Sequence, residues 1–190
     1  MTTSSRTGEK TVRVLYLDLD GTVRKGFDEL GKFVNGPEDV EVFEGVPDLL
    51  EFYSSLGWRI VGISNQGGIA LGYLTMETCI RAMLETQKQC LGLFDKIAWC
   101  SHHPDAEDPE MAVCWCRKPR PGLIIETALS LAETHREIYP PHLGLFVGDR
   151  PEDEQCAHNA ALQFMSADVW RNGLHVDEIM PRGRNVRNSG

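Results

Sequence analysis

VRVLYLDLDGT, residues 12–22, sets an apolar, β-rich run directly against two acids, a glycine and a threonine. Residues 12–17 are enough for a buried strand and too few for a helix that could stand alone. At the end of that run Asp18 and Asp20 lie two apart, and Gly21 and Thr22 follow. If the backbone stays extended, period-two geometry points both carboxylates to the same side. Such a pair can divide labour, one attacking an electrophile and the other moving a proton. Taken alone the pattern is also compatible with a solvated turn. A calcium loop is a poorer match, because the position needing glycine for the sharp turn is Val23.

Further strands are predicted over residues 59–63, 96–99, 143–147 and 163–166. Helices are predicted between them. One starts at Pro47 and stops at Gly57, and another is capped by Thr75 and closed by Gly92; two more span 122–135 and 151–160. A polar, glycine-rich connection fills 23–44. Residues 100–116 read as irregular, since Pro104 and Pro109 interrupt them. Strands alternating with helices imply a parallel sheet with right-handed crossovers. In such a sheet the ligand crevice lies beyond the carboxyl ends of the strands. Asp18, Asp20, Ser64 and Asp149 all fall there.

The 190 residues suit one domain, expected over 11–170 between a disordered leader (1–10) and a polar tail (171–190). With 42% hydrophobic and 25% charged residues, wholesale disorder is excluded as the general state. The formal net charge of −9 gives no general attraction to nucleic acid or anionic lipid. No stretch approaches a membrane span and the first ten residues lack a secretory core, so a cytoplasmic location is expected. Three of the six cysteines (Cys100, Cys114 and Cys116) sit beside His102 and His103. In a reducing compartment that clustering reads as a metal site rather than a disulfide framework. Three thiolates and one imidazole make a closed tetrahedral zinc set that could clip an acidic loop unable to fold on apolar burial. Either histidine could serve.

Asp18-Leu19-Asp20-Gly21-Thr22 resembles the first motif of the haloacid-dehalogenase-like phosphatases. Ser64 resembles their second, Lys118 in Arg117-Lys118-Pro119 their third, and Gly148-Asp149 with Asp153 their fourth. The four occur in order over nearly the whole of 12–170. The resemblance implies a Rossmann-like three-layer α/β sandwich with a central parallel sheet, no large cap domain and a zinc-binding insertion at 100–116. It further implies a Mg²⁺-dependent phosphomonoesterase. Asp18 would form an aspartyl-phosphate, with Asp20 as acid and then base. Ser64 and Lys118 would grip the phosphoryl group. Asp18, the backbone carbonyl of Asp20, and Asp149 would hold magnesium, with Asp153 orienting metal-bound water.

The Cys-x-His…Cys-x-Cys-Arg-Lys-Pro arrangement is similar to that of the bacterial heptose 1,7-bisphosphate and histidinol-phosphate phosphatases. That resemblance selects His102 with Cys100, Cys114 and Cys116 as the structural zinc ligands. Asn65, Arg117, Thr22 and Arg150 are the expected substrate contacts. The expected partner is a small phosphorylated metabolite, a sugar bisphosphate such as heptose 1,7-bisphosphate in the first place, handled by a monomer with no membrane. A histidinol phosphate or a nucleic-acid 3′-phosphate end are the alternatives, and a catalytically silent zinc-stabilised binding module is a further one. Two departures stand out: Leu19 and Leu71 occupy positions where the heptose enzymes usually carry arginine, and the stretch 24–27 does not match their substrate loop.

Overall fold

The structure, a computed structural model, describes residues 10–173. Most of the expected leader and the tail from residue 174 lie outside the described residues. In chain order the elements are β1 (Lys10–Thr11), β2 (Val14–Leu17), α1 (Phe27–Leu30), α2 (Val46–Ser55), β3 (Arg59–Asn65), α3 (Met76–Gln89) and β4 (Lys96–Cys100). There follow α4 (Pro109–Ala112), α5 (Gly122–His135), β5 (Glu137–Ile138), β6 (Leu145–Gly148), α6 (Pro151–Asn159), β7 (Gln163–Ser166) and α7 (Ala167–Arg171).

Five strands form one parallel sheet in the order β4-β3-β2-β6-β7. The central β2 is buried at every position, as a strand covered on both faces must be. Its side chains alternate between two cores. Leu15 and Leu17 join Val46, Leu50, Met83 and Trp170 of α2, α3 and α7. Val14 and Tyr16 join Leu123, Ile124 and Ala157 of α5 and α6. Helices therefore cover both faces, and each large apolar side chain removed from water contributes on the order of 1.5–3 kcal/mol. The α/β class, the parallel sheet and the lack of a large cap follow the sequence expectation.

The local boundaries differ in instructive ways. β3 runs on to Asn65 and β4 to Cys100, because Ser64 pairs with Trp99 and Asn65 with Cys100 in register. The segment expected to be irregular contains a helical turn, α4. Pro109 occupies its first turn, where a missing N–H costs nothing, and the Asp108 carboxylate accepts from Glu110 N–H at 2.9 Å. The last described helix, α7, ends on Arg171 and is anchored by fully buried Trp170. None of the described helices is long and apolar enough to cross a membrane.

β1 and β5 form a separate two-stranded parallel pair. It is tied to the foot of β3 by Glu137, which accepts from Arg59 Nε at 3.0 Å, from Tyr139 Oη at 2.8 Å and from Lys10 Nζ at 3.3 Å. Burial opposes the charged form, but the Arg59 and Tyr139 hydrogen bonds prevail and hold the Glu137 carboxyl down at about 2. A carboxylate depressed in the folded state adds stability above its ordinary range, and that stability is lost as pH falls through the folded value. Glu137→Gln should therefore cost about 1–3 kcal/mol near pH 7. By urea denaturation the gap to wild type should narrow below about pH 4.

Candidate active site

Asp18 emerges from β2 with its N–H bonded to Val147 O at 2.9 Å, so the first turn beyond the sheet is fixed on β6. The chain then folds back sharply, with Gly21 at φ +96°. A Cβ on Gly21 would stand 2.2 Å from Asp149 Oδ2, so glycine there admits the Asp149 carboxylate against the Asp18 turn. Gly148 does the same for the start of α6, where an added Cβ would meet Asp153 Cβ at 2.3 Å. Asp153 Oδ2 accepts from Arg150 N–H at 3.1 Å, which caps the helix and leaves the other, buried oxygen facing Lys118.

Lys118 is brought to this group from a hundred residues away in the chain. Its Nζ donates to Asp18 Oδ1, lies 2.6 Å from Asp153 Oδ1 and is 3.4 Å from Ile63 O. The Asn65 side chain fixes the lysine backbone, accepting from Lys118 N–H at 3.0 Å and donating to Lys118 O at 3.2 Å. Both Lys118 and Asp18 are almost fully buried. Burial would strip the lysine proton, but Asp18 and Asp153 more than offset it and keep Lys118 cationic. Burial pushes the Asp18 carboxyl well above the ordinary carboxylate range, against the pull of Lys118. Asp149 is also raised, by burial and by Asp153.

Asp18, Asp149 and Asp153 each offer an oxygen, and these lie within 4.8 Å of one another. Three carboxylates against Lys118 and the half-exposed Arg150, whose Nε lies 3.7 Å from Asp149 Oδ2, still leave an anionic excess that a hard divalent cation would offset, and oxygen donors of this kind suit magnesium. Asp153 shares this group, though its oxygens are already engaged by Lys118 Nζ and Arg150 N–H. The Asp20 carboxylate is not part of the group, which leaves only the expected role for its backbone carbonyl. Its Oδ2 accepts instead from Gln66 Nε2 at 2.9 Å and Ser64 Oγ at 3.4 Å, and Arg24 Nε donates to Oδ1 at 2.8 Å. Thr22, expected at the substrate, is fully buried and donates to Asp149 Oδ1 at 3.3 Å, so it orients a carboxylate.

A cleft of about 460 Å³ opens beside this group. Asp18, Asp20, Ser64, Asn65 and Lys118 line it together with Arg117 and Arg150. Phe27, Phe33 and Tyr73 line it too, largely exposed, with the two phenylalanine rings 4.9 Å apart. Sequence reasoning gave no role to these aromatics, to Gln66 or to Arg24: Gln66 follows the Ser64 motif position closely, and Arg24 and Phe27 bound the stretch noted only for its mismatch with the heptose enzymes. Leu71 lines the cleft, whereas Leu19 is wholly buried in the core.

Beside the cleft, Cys100, His102, Cys114 and Cys116 form a second group with ligand atoms within 4.8 Å. Cys100 Sγ lies 3.0 Å from Cys116 Sγ and 3.6 Å from Cys114 Sγ, and His102 Nδ1 lies 3.3 Å from Cys116 Sγ. A tetrahedral zinc–thiolate site has ligand edges of about 3.8 Å, close to these. Backbone N–H groups of His102 and Arg117 already point at Cys100 and Cys114 sulfur, at 3.4 and 3.3 Å. Burial and the neighbouring sulfurs push the Cys116 thiol far up, a cost that a bound cation removes. His103 lies outside the group; its Nδ1 accepts from Asp105 N–H at 3.1 Å.

No protein-family model matches the chain. Among curated proteins it is 32% identical over 153 residues to a D-glycero-beta-D-manno-heptose-1,7-bisphosphate 7-phosphatase of Salmonella typhi, covering 78% of this chain and 76% of that one. It is 28% identical over 167 residues to the Chlorobaculum tepidum D-glycero-D-manno-heptose-1,7-bisphosphate 7-phosphatase, covering 86% and 82%. Among solved structures, the D,D-heptose 1,7-bisphosphate phosphatase of B. bronchiseptica, complexed with magnesium and phosphate, superposes with a TM-score of 0.65 at 25% identity, over 80% of this chain and 79% of that one. A Mesorhizobium loti structure shares the fold at a TM-score of 0.70, with 24% identity over 84% and 73% of the two chains. An acidic triad around a buried lysine, a Cys₃His group on the adjoining loop and relatives of this similarity lead to one assignment: the chain belongs to the heptose-bisphosphate phosphatase family of the haloacid-dehalogenase superfamily.

Proposed function

We propose that the chain hydrolyses a sugar bisphosphate by transferring the phosphoryl group to Asp18 and then to water. The observation that carries this reading is the convergence of Asp18, Asp149, Asp153 and Lys118 at one end of the sheet, where Asp18 and Lys118 line a cleft. Magnesium held by Asp18, Asp149 and the backbone carbonyl of Asp20, with Asp153 beside it, would offset the charge of phosphate and nucleophile. Lys118 fixes one Asp18 oxygen and presents its positive charge to the phosphoryl group, as Ser64 does its hydroxyl. Asp18 oxygen forms the new bond to phosphorus as the bond to the sugar oxygen breaks. The Asp20 proton passes to that oxygen. Asp20 then takes a proton from water as it attacks the aspartyl-phosphate, and inorganic phosphate leaves with Asp18 restored.

A bisphosphate is favoured because Arg117 and Arg150 share the cleft with Asp18 and can hold a second phosphate. Arg117 is itself placed by the cysteine–histidine loop, donating to His102 O at 3.2 Å. The aromatic Phe27, Phe33 and Tyr73 can cover the carbon face of the sugar. Structural zinc on Cys100, His102, Cys114 and Cys116 would hold the Arg117–Lys118 segment in place.

Asp18→Asn should lower phosphate release from heptose bisphosphate and from p-nitrophenyl phosphate by at least ~10³-fold, with the circular dichroism spectrum kept. Arg117→Ala should raise KM for the bisphosphate about 10- to 100-fold while changing KM for p-nitrophenyl phosphate little, since a charge-assisted hydrogen bond is at stake. A panel that also includes a 3′-phosphorylated oligonucleotide should show the bisphosphate hydrolysed best. Metal analysis should find about one zinc per chain. Cys114→Ser should lose that zinc and lower both Tm and activity in excess Mg²⁺.

A further inference from the structure

Arg24 is fully buried, and the proposed mechanism gives it no task. It lies just beyond the Asp18–Thr22 turn, where its backbone closes the loop: Arg24 N–H donates to Leu19 O at 2.9 Å and Arg24 O accepts from Gly21 N–H at 2.8 Å. Its guanidinium forks onto Asp20, Nε to Oδ1 at 2.8 Å and Nη2 to Oδ2 at 3.3 Å. The remaining nitrogen, Nη1, donates to Thr86 Oγ1 at 2.7 Å and approaches Ala82 O at 3.5 Å, both on α3. Thr86 is itself fixed, its hydroxyl donating to Ala82 O at 2.9 Å. A continuous line of hydrogen bonds therefore runs from the middle of α3 to both oxygens of Asp20.

A guanidinium taken out of water is costly unless it is paired and its donors are used. Among the described residues Asp20 is the one carboxylate bridged to Arg24. The neighbouring Cys79 and Cys90 are no substitute: burial pushes their thiols up to about 11 and about 12, so they stay neutral. The pair also differs from an ordinary core ion pair in one respect. The arginine side chain has no exposure, but that of Asp20 is 30% exposed and lines the cleft. The buried half is rigid and the exposed half faces substrate, the arrangement expected of a support that holds a reacting carboxylate.

We infer that Arg24, anchored by Thr86, is the positioning residue that holds the Asp20 carboxylate in line for proton transfer to the leaving oxygen. This rests on the reading of Asp20 as the proton donor. Its consequence is selective. An alkoxide leaving group departs only as it is protonated, whereas p-nitrophenolate leaves without a proton. Loss of a support for the proton donor therefore harms one substrate and spares the other. Loss of mere packing harms both alike.

The test is kcat/KM, which reports steps through departure of the leaving group and so is not masked by slow dephosphorylation. It is measured for heptose bisphosphate and for p-nitrophenyl phosphate with wild type, Asp20→Asn, Arg24→Met, Arg24→Lys and Thr86→Val. Arg24→Met should lose about 10- to 100-fold on the alkyl ester and less than about 3-fold on the aryl ester. Arg24→Lys, which keeps the charge but not the fork, should recover part of the alkyl activity. Thr86→Val should show the same selectivity at about 3- to 10-fold. Equal losses on both esters, or none, with Arg24→Met would overturn the inference. Should that variant not fold, the same two outcomes with near-isosteric Thr86→Val decide it. Asp20→Asn separates the two levels: if it too lacks selectivity, the proton-donor reading itself fails, whereas selectivity in Asp20→Asn alone rejects only the role of Arg24.

Discussion

Among the described residues the ammonium of Lys118 is the buried positive charge of the carboxylate cluster, with the half-exposed Arg150 Nε 3.7 Å from Asp149 Oδ2 at its edge, and the site is arranged around that lysine. It bridges Asp18 and Asp153 where almost no water reaches. Without it, two buried like charges would face each other at full electrostatic cost. With it, the carboxylates still outnumber the cations around them, which is why the group suits a divalent cation. On the proposed mechanism the nucleophile and the metal would answer one shortage of positive charge, and substrate phosphate would meet Lys118 beside an oxygen of Asp18 that the lysine already fixes.

How Lys118 gets there is a matter of strand register. Asn65, at the end of β3, grips the lysine backbone through both ends of its amide. The same Asn65 is paired in the sheet with Cys100, the first member of the cysteine–histidine group. The loop that leaves the sheet at Cys100 and returns through Cys114 and Cys116 therefore starts and finishes beside the phosphate-gripping strand. A metal clip on that loop, as proposed, would shorten the chain left free before Arg117 and Lys118 and stiffen that wall of the cleft. The aromatic residues of the 23–44 connection supply another part of the lining.

Asp20 is supported differently. It is withdrawn from the carboxylate group and tied into a polar array of Ser64, Gln66 and Arg24. Two acids two residues apart are thereby given unlike surroundings, one packed on a buried lysine among carboxylates, the other held by a buried guanidinium while facing the cleft. Separate environments are how neighbouring carboxylates acquire separate roles.

Much of this is legible in the chain itself. Each of Asp18, Ser64 and Asp149 is coded next to a β-rich run, and a parallel sheet must bring the ends of such runs together; the fold class and the gathering of these residues at one end of the sheet follow from local pattern plus that rule, whereas the roles expected of them come from the family resemblance. The Cys₃His group was legible for a similar reason, because its ligands cluster in seventeen residues. The sequence could not show that Thr22 turns to Asp149, that Asp153 meets Lys118, that Phe27 and Phe33 line the cleft, or that Arg24 spans from α3 to Asp20. Local pattern determines which segments become strands and which polar residues stand at their ends. Which side chains then meet depends on register, loop path and exclusion of water across segments far apart in the chain, and only the folded structure decides it.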